Sequence, residues 1–128
     1  MSLALSAAYW CVLIACLLPY IWVGVAKWGP HYQNDQPRDL DQYQGFRRRA
    51  HHAHTNAFEA LPFFIAAVVM AHQFGAGGLW VDGLAVLWVL FRIGHGLAYI
   101  TDRATLRSIL WVGAFIANLA LFLAPAFS

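Results

Sequence analysis

Arg48, His52, Asn56 and Glu59 follow one another at intervals of four, four and three residues. On a helix they share a face, within about an 80° arc at 100° per residue. Arg92, His95 and Tyr99 obey the same rule, within about a 60° arc. The first stripe offers a cation, an amide and a carboxylate. The second offers a guanidinium, an imidazole and a phenol. Guanidinium groups pair bidentately with carboxylates, and a carboxylate suits an ammonium. Facing each other, the two stripes would form a polar cavity for a small amphoteric molecule with more carboxylates than amines. Arg92 is the most exceptional of these residues because it stands inside an apolar run. A charge at mid-bilayer costs at least ~2.5 kcal/mol on the mildest scale.

The elements that carry the stripes follow from composition. The chain has 128 residues, 61% of them hydrophobic and 11% charged, against about 25% charged in ordinary soluble domains. So little polar material cannot cover a small soluble domain, and a bilayer is the simplest solvent for it. Charges also come in blocks. Met1 to Ala26 has none, Lys27 to Arg49 has five basic and three acidic residues, and Ala60 to Phe91 has only Asp82. Arg92 to Arg107 holds three arginines and Asp102, and no charge follows. This alternation marks a polytopic membrane protein. We expect one all-α domain over residues 1–128 with four spans, near 3–26, 44–74, 79–101 and 104–127. Pro19 falls inside the first span, and the glycines of "GAGG" at 75–78 close the second. The loop "WGPHYQNDQPRDLDQY", residues 28–43, has the prolines, Asn34 and aspartates of a surface turn region.

Lysine and arginine concentrate in the first and third loops, so these should be cytoplasmic, with both termini on the other side. A bacterial inner membrane or a similar bilayer is the expected location. Trp10, Trp22, Trp28, Trp80 and Trp111 fall near expected span ends, where interfacial anchors sit. The N-terminus lacks the basic region and short apolar stretch of a signal peptide. Cys11 and Cys16 fall on different helix faces, which argues against a disulfide between them. A net charge of +2 without a basic, aromatic-interleaved stripe argues against nucleic acid. His51 and His54 are an i, i+3 pair, but two or three neighbouring histidines are a weak zinc motif without HExxH or a second pair. No metal is expected. His31 and His72 look incidental. No G-x-S-x-G, P-loop or dinucleotide fingerprint occurs.

Glutathione has the charges that the two stripes would hold: two carboxylates, one amine and a thiol. A neighbouring arginine would favour its thiolate, the nucleophilic form. The segment "RAHHAHTNAFEALPFF" resembles the signature of the MAPEG family, the membrane-associated proteins of eicosanoid and glutathione metabolism. Asn56, Glu59 and Pro62 match the pattern. "RIGHGLAYITDRATLRS" resembles the same family's third helix and the start of its fourth, through Arg92, His95, Tyr99, Arg107 and Ser108. Two motifs in the right order and four spans of the right length identify the chain as a bacterial-type member.

The resemblance implies a four-helix subunit that assembles as a homotrimer, with glutathione as co-substrate between subunits. It implies that Asn56 and Glu59 hold the peptide and its amine, with Arg48 and His52 beside them. Arg92, His95 and Tyr99 would line the site, and Arg107 with Ser108 would stabilise the thiolate. Two positions depart from the family's enzymes. His52 replaces an arginine four residues before the asparagine, and Thr55 replaces a basic residue just before it. A lost fixed charge should weaken carboxylate binding. The expected activity is a glutathione-dependent transferase or peroxidase acting on lipophilic electrophiles that arrive from the membrane lipid. The alternative is a non-enzymatic lipid-binding scaffold or an accessory subunit of a larger membrane complex, because a fold does not fix an activity. An enzyme should bring Arg92, Arg107 and Glu59 to an open cavity. A scaffold should pair those groups with one another and leave no void.

Overall fold

The computed structural model describes residues 6–127. Four helices follow in order: α1 (Ala7–Ala26), α2 (Phe46–Gln73), α3 (Leu79–Ile100) and α4 (Ala104–Leu123). A 3₁₀ turn, Ala124–Phe127, extends α4, and another, Leu40–Gln42, lies in the first loop. The expected start of the first span near Leu3 lies outside the described residues. The other span ends fall within a few residues of their expected places. All four helices are long and apolar enough to cross a bilayer.

Side-chain size is distributed in the reverse of a soluble bundle. Small residues fill the interior: Ala8, Ala15, Ala50, Ala53, Ala67 and Ala85 are almost fully buried. Large apolar residues such as Leu13, Leu17, Ile21, Leu90, Ile109 and Ile116 are exposed. Small residues let helix backbones approach closely where lipid, not water, is outside. Gly96 shows this best. A Cβ there would stand 2.2 Å from Trp22 Cζ2, so the α1 indole lies directly on α3. Gly94 faces Leu110 of α4 in the same way, at 3.1 Å. Trp22 is therefore a buried packing residue and not an interfacial anchor. Trp10, Trp28, Trp80 and Trp111 are exposed, as anchors would be.

The turns between α2, α3 and α4 are short, and both use the same stop. Beyond α2, Gly75 takes a left-handed φ of 82°, Gly75 N–H donates to His72 O, and Ala76 N–H donates to Ala71 O. Beyond α3, Asp102 takes a φ of 61°, Asp102 N–H donates to Tyr99 O, and Arg103 N–H donates to Ala98 O. Each is a Schellman motif, which satisfies carbonyls left over at a helix end. Only residues 101–103 separate α3 from α4. That brevity sets Tyr99 on one helix against Arg107 on the next.

The long first loop folds over the start of α2. Tyr43 is buried there, its ring stacked on His51 at 4.9 Å and its hydroxyl donating to Pro37 O. Burial, with the Tyr32 phenol beside it, raises the Tyr43 phenol's pKa, so it stays protonated and able to donate. Gln42 fastens the same loop to Gln33 and Gln36.

Candidate functional site

α2, α3 and α4 enclose a cleft of two lobes, each of about 290 Å³. Asn56 and Trp111 line both lobes, so the lobes adjoin. The upper lobe, towards the α3–α4 turn, is lined by His95, Tyr99, Arg107 and Ser108. The lower lobe is lined by Glu59 and Arg92, by the aromatic rings of Phe63, Trp88 and Phe115, and by Asn118. Seven of the expected site residues thus share one cleft: Asn56, Glu59, Arg92, His95, Tyr99, Arg107 and Ser108. Arg48 and His52 line neither lobe.

Each side chain has a local reason for its position. Arg92 is buried in α3, and its guanidinium donates to Asn56 Oδ1 of α2 at 2.7 Å. A hydrogen bond to a charged group contributes about 1.5–3 kcal/mol. The two stripes therefore do meet, but through Asn56 rather than through an Arg92–Glu59 ion pair. Glu59 is exposed at the edge of the lower lobe. Arg107 lies over the Tyr99 ring, 4.6 Å from its centroid. That face-on contact holds the cation at the α3–α4 boundary. His95 meets the edge of the same tyrosine at 5.7 Å, and His52 stacks on it at 6.1 Å. Tyr99 is thus the hub of the upper lobe.

The position just before Asn56 adds no cation. Thr55 Oγ1 donates to His51 O one turn back. The neighbouring histidines are spent on packing. His54 Nδ1 lies 2.8 Å from Pro19 O of α1. A carbonyl only accepts, so this nitrogen carries the proton. Among the described residues, no group of three or more potential metal ligands assembles. Within the triple-arginine run, Arg49 Nε donates to Ile100 O at 3.0 Å and the Arg47 guanidinium packs against Gly29.

One polar lining residue was absent from the expectations. Asn118 of α4 is 3% exposed, and its Oδ1 has no hydrogen-bond partner. An uncharged amide in an apolar run gives no charge signal and has no polar neighbour at helical spacing. Only its rarity among the apolar residues of α4 could have drawn notice.

Four apolar helices, small residues between them and a polar cleft opening among three of them define an integral membrane four-helix bundle. The chain belongs to the MAPEG family, whose family model matches residues 7–127. The matched stretch contains both motifs and every cleft residue. Neither a curated protein nor a solved structure matches the chain significantly.

Proposed function

We propose that the protein is a glutathione-dependent transferase or peroxidase for lipophilic electrophiles, working as a homotrimer in a bacterial inner membrane. The observation that carries this reading is the cleft itself. Its upper lobe gathers donors, and Glu59 stands beside its lower lobe. That polarity suits a tripeptide with two carboxylates and one amine. Arg107 and Ser108 would face the sulfur, while Glu59 and Asn56 would face the amine end. Family membership supports the same co-substrate.

Glutathione would supply the sulfur nucleophile. Arg107, held by Tyr99, would lower the cost of the thiolate by placing a fixed positive charge beside it. Ser108 would donate a hydrogen bond to the same centre. Arg92 would bind a carboxylate and keep Asn56 in position. Arg48 and His52, outside both lobes, would serve the mouth of the cleft rather than its interior. Glu59 also supports the oligomer. An exposed carboxylate on a membrane-spanning helix needs cover from protein or water, and a neighbouring subunit would provide it. Loops one and three would face the cytoplasm, which places the upper lobe near the glutathione pool.

The scaffold reading draws on one observation: Arg92 already has a partner within the fold. The two lobes weigh against it, because a scaffold has no use for a void lined by polar groups. Calorimetry of glutathione binding to detergent-purified protein separates the two. Saturable binding, lost in both Glu59→Gln and Arg92→Ala, is the expected result. A folded trimer that takes up no glutathione would favour a lipid-binding scaffold or an accessory subunit of a larger complex.

A further inference from the structure

The lower lobe has a feature that the proposed chemistry does not use. Asn118 forms part of its wall, is 97% buried and has no partner for Oδ1. Buried polar groups in folded proteins are nearly always hydrogen-bonded. Each exception calls for its own explanation, and for Asn118 the adjoining lobe offers one. Phe63, Trp88, Trp111, Ala114 and Phe115 make the apolar part of the same wall, and Asn56, Glu59 and Arg92 its polar part. Asn118 is the polar lining residue that α4 contributes to this lobe.

Its depth matters. Asn118 stands eleven residues beyond Arg107 on α4, or about 16 Å along the axis at 1.5 Å per residue. That is about half of a typical ~30 Å hydrocarbon core. Arg107, Ser108, Tyr99 and His95 all belong to the upper lobe, so the amide is far from every group assigned to the sulfur. The two cleft charges nearest it, Glu59 and Arg92, come from other helices, and Arg92 is already bonded to Asn56.

We infer that Asn118 is a ligand-binding residue that selects the lipophilic co-substrate. The aromatic part of the lower lobe takes an apolar chain or ring carrying one uncharged oxygen group, a hydroxyl or a carbonyl, which bonds the Asn118 amide. An amide donates and accepts, so either oxygen group satisfies it. A charged headgroup gains nothing from the amide itself, which neutralises neither sign. A bare hydrocarbon fits the walls but leaves the amide unpaired. The lobe thus ranks amphiphiles by an oxygen placed deep in the bilayer. This inference rests on the transferase reading for its reaction, but not for its binding site.

The test uses the full-length protein in detergent micelles and two probes of equal chain length. One is bromododecane. The other is bromododecanol, with bromine and hydroxyl at opposite ends. Bromine quenches tryptophan emission, and Trp88 and Trp111 line the lobe. The wild type should bind the alcohol about tenfold more tightly than the bromoalkane, the factor one hydrogen bond gives. Asn118→Leu, of similar shape, should abolish that preference without lowering the melting temperature. Asn118→Ser, which keeps a hydrogen-bonding group, should retain part of it and serves if the leucine variant aggregates. An unchanged preference in Asn118→Leu overturns the inference, as does a wild type with no preference. So does a leucine variant that melts lower and dissociates, which would make the amide a structural clamp. Glutathione calorimetry on the same samples keeps the two readings apart. Asn118→Leu should bind glutathione like the wild type. A wild type that ignores glutathione yet prefers the alcohol would end the transferase reading and leave the Asn118 site standing.

Discussion

Both ends of the bundle carry polar side chains that fasten neighbours, but only one of them also opens a polar cleft. At the end where α1 begins and α2 stops, Ser6, His72 and Asp82 are each committed to a neighbour. Ser6 Oγ accepts from Tyr9 N–H at 3.1 Å and lies 3.2 Å from His72 Nε2. His72 Nδ1 donates to Val68 O at 2.8 Å, which leaves Nε2 free to accept from Ser6. Asp82 of α3 accepts from Ala8 N–H at 2.9 Å and so caps α1 from another helix. The cleft starts at the other end, where Arg107 and Ser108 line a void, and runs past Glu59 to Asn118, whose oxygen is unpaired, deep in the bundle. Polar groups that face one another fasten helices. Polar groups that face a cavity are available to a ligand. The same residue types thus mean different things at the two ends, and only the partners tell them apart.

Substitutions can test that contrast, starting with the largest effect. Arg107→Ala should cost at least ~100-fold in glutathione-dependent turnover, the usual price of one preorganised electrostatic contact. Its thermal melting should stay close to wild type. A large drop in melting temperature would make Arg107 a fastener and blur the distinction. Gly96→Ala drives a methyl into Trp22 and should destabilise by about 1–3 kcal/mol. Thermal unfolding in detergent reads this directly, and an unshifted melt would mean that the α1–α3 contact is looser than described. Asp82→Ala removes the cap on α1 and should cost about 1 kcal/mol. Glutathione affinity in the same variant should not change. A weakened affinity would couple the two ends. Smallest is Asp102→Gly, which relieves a left-handed backbone and should stabilise by up to ~1 kcal/mol. A lower melting temperature would show that the Asp102 side chain has a task of its own.

The sequence made the spans and most of the cleft readable for physical reasons. Charges are expensive in lipid, so their gaps outline the helices. Gly75 and Gly78 mark a turn because few other residues accept a positive φ. Arg92 and Glu59 stand out because a membrane helix carries such residues only for cause. The missed features lack such signals. Asn118 is neutral. Asp102 adopts a glycine-like conformation that its identity does not announce. His72 looked incidental, yet it closes a contact to Ser6 across sixty-six positions of sequence. Trp22 sits near a span end like an anchor, but the space above Gly96 draws it inward. Long-range contacts of this kind come from packing, which local spacing does not encode.

The aromatic walls of the lower lobe lead to a last point. Trp111 and Phe115 line the cleft and are each 41% exposed on the outside of α4. A ligand passing them comes from solution in lipid or detergent, not from water. Its driving concentration is then a mole fraction of the apolar phase. Adding micelles or vesicles at constant total ligand should dilute it and raise the apparent half-saturation in proportion. Affinities for this cleft gain meaning only when quoted per mole of lipid, whereas those for a water-borne partner at the upper lobe keep their ordinary molar units.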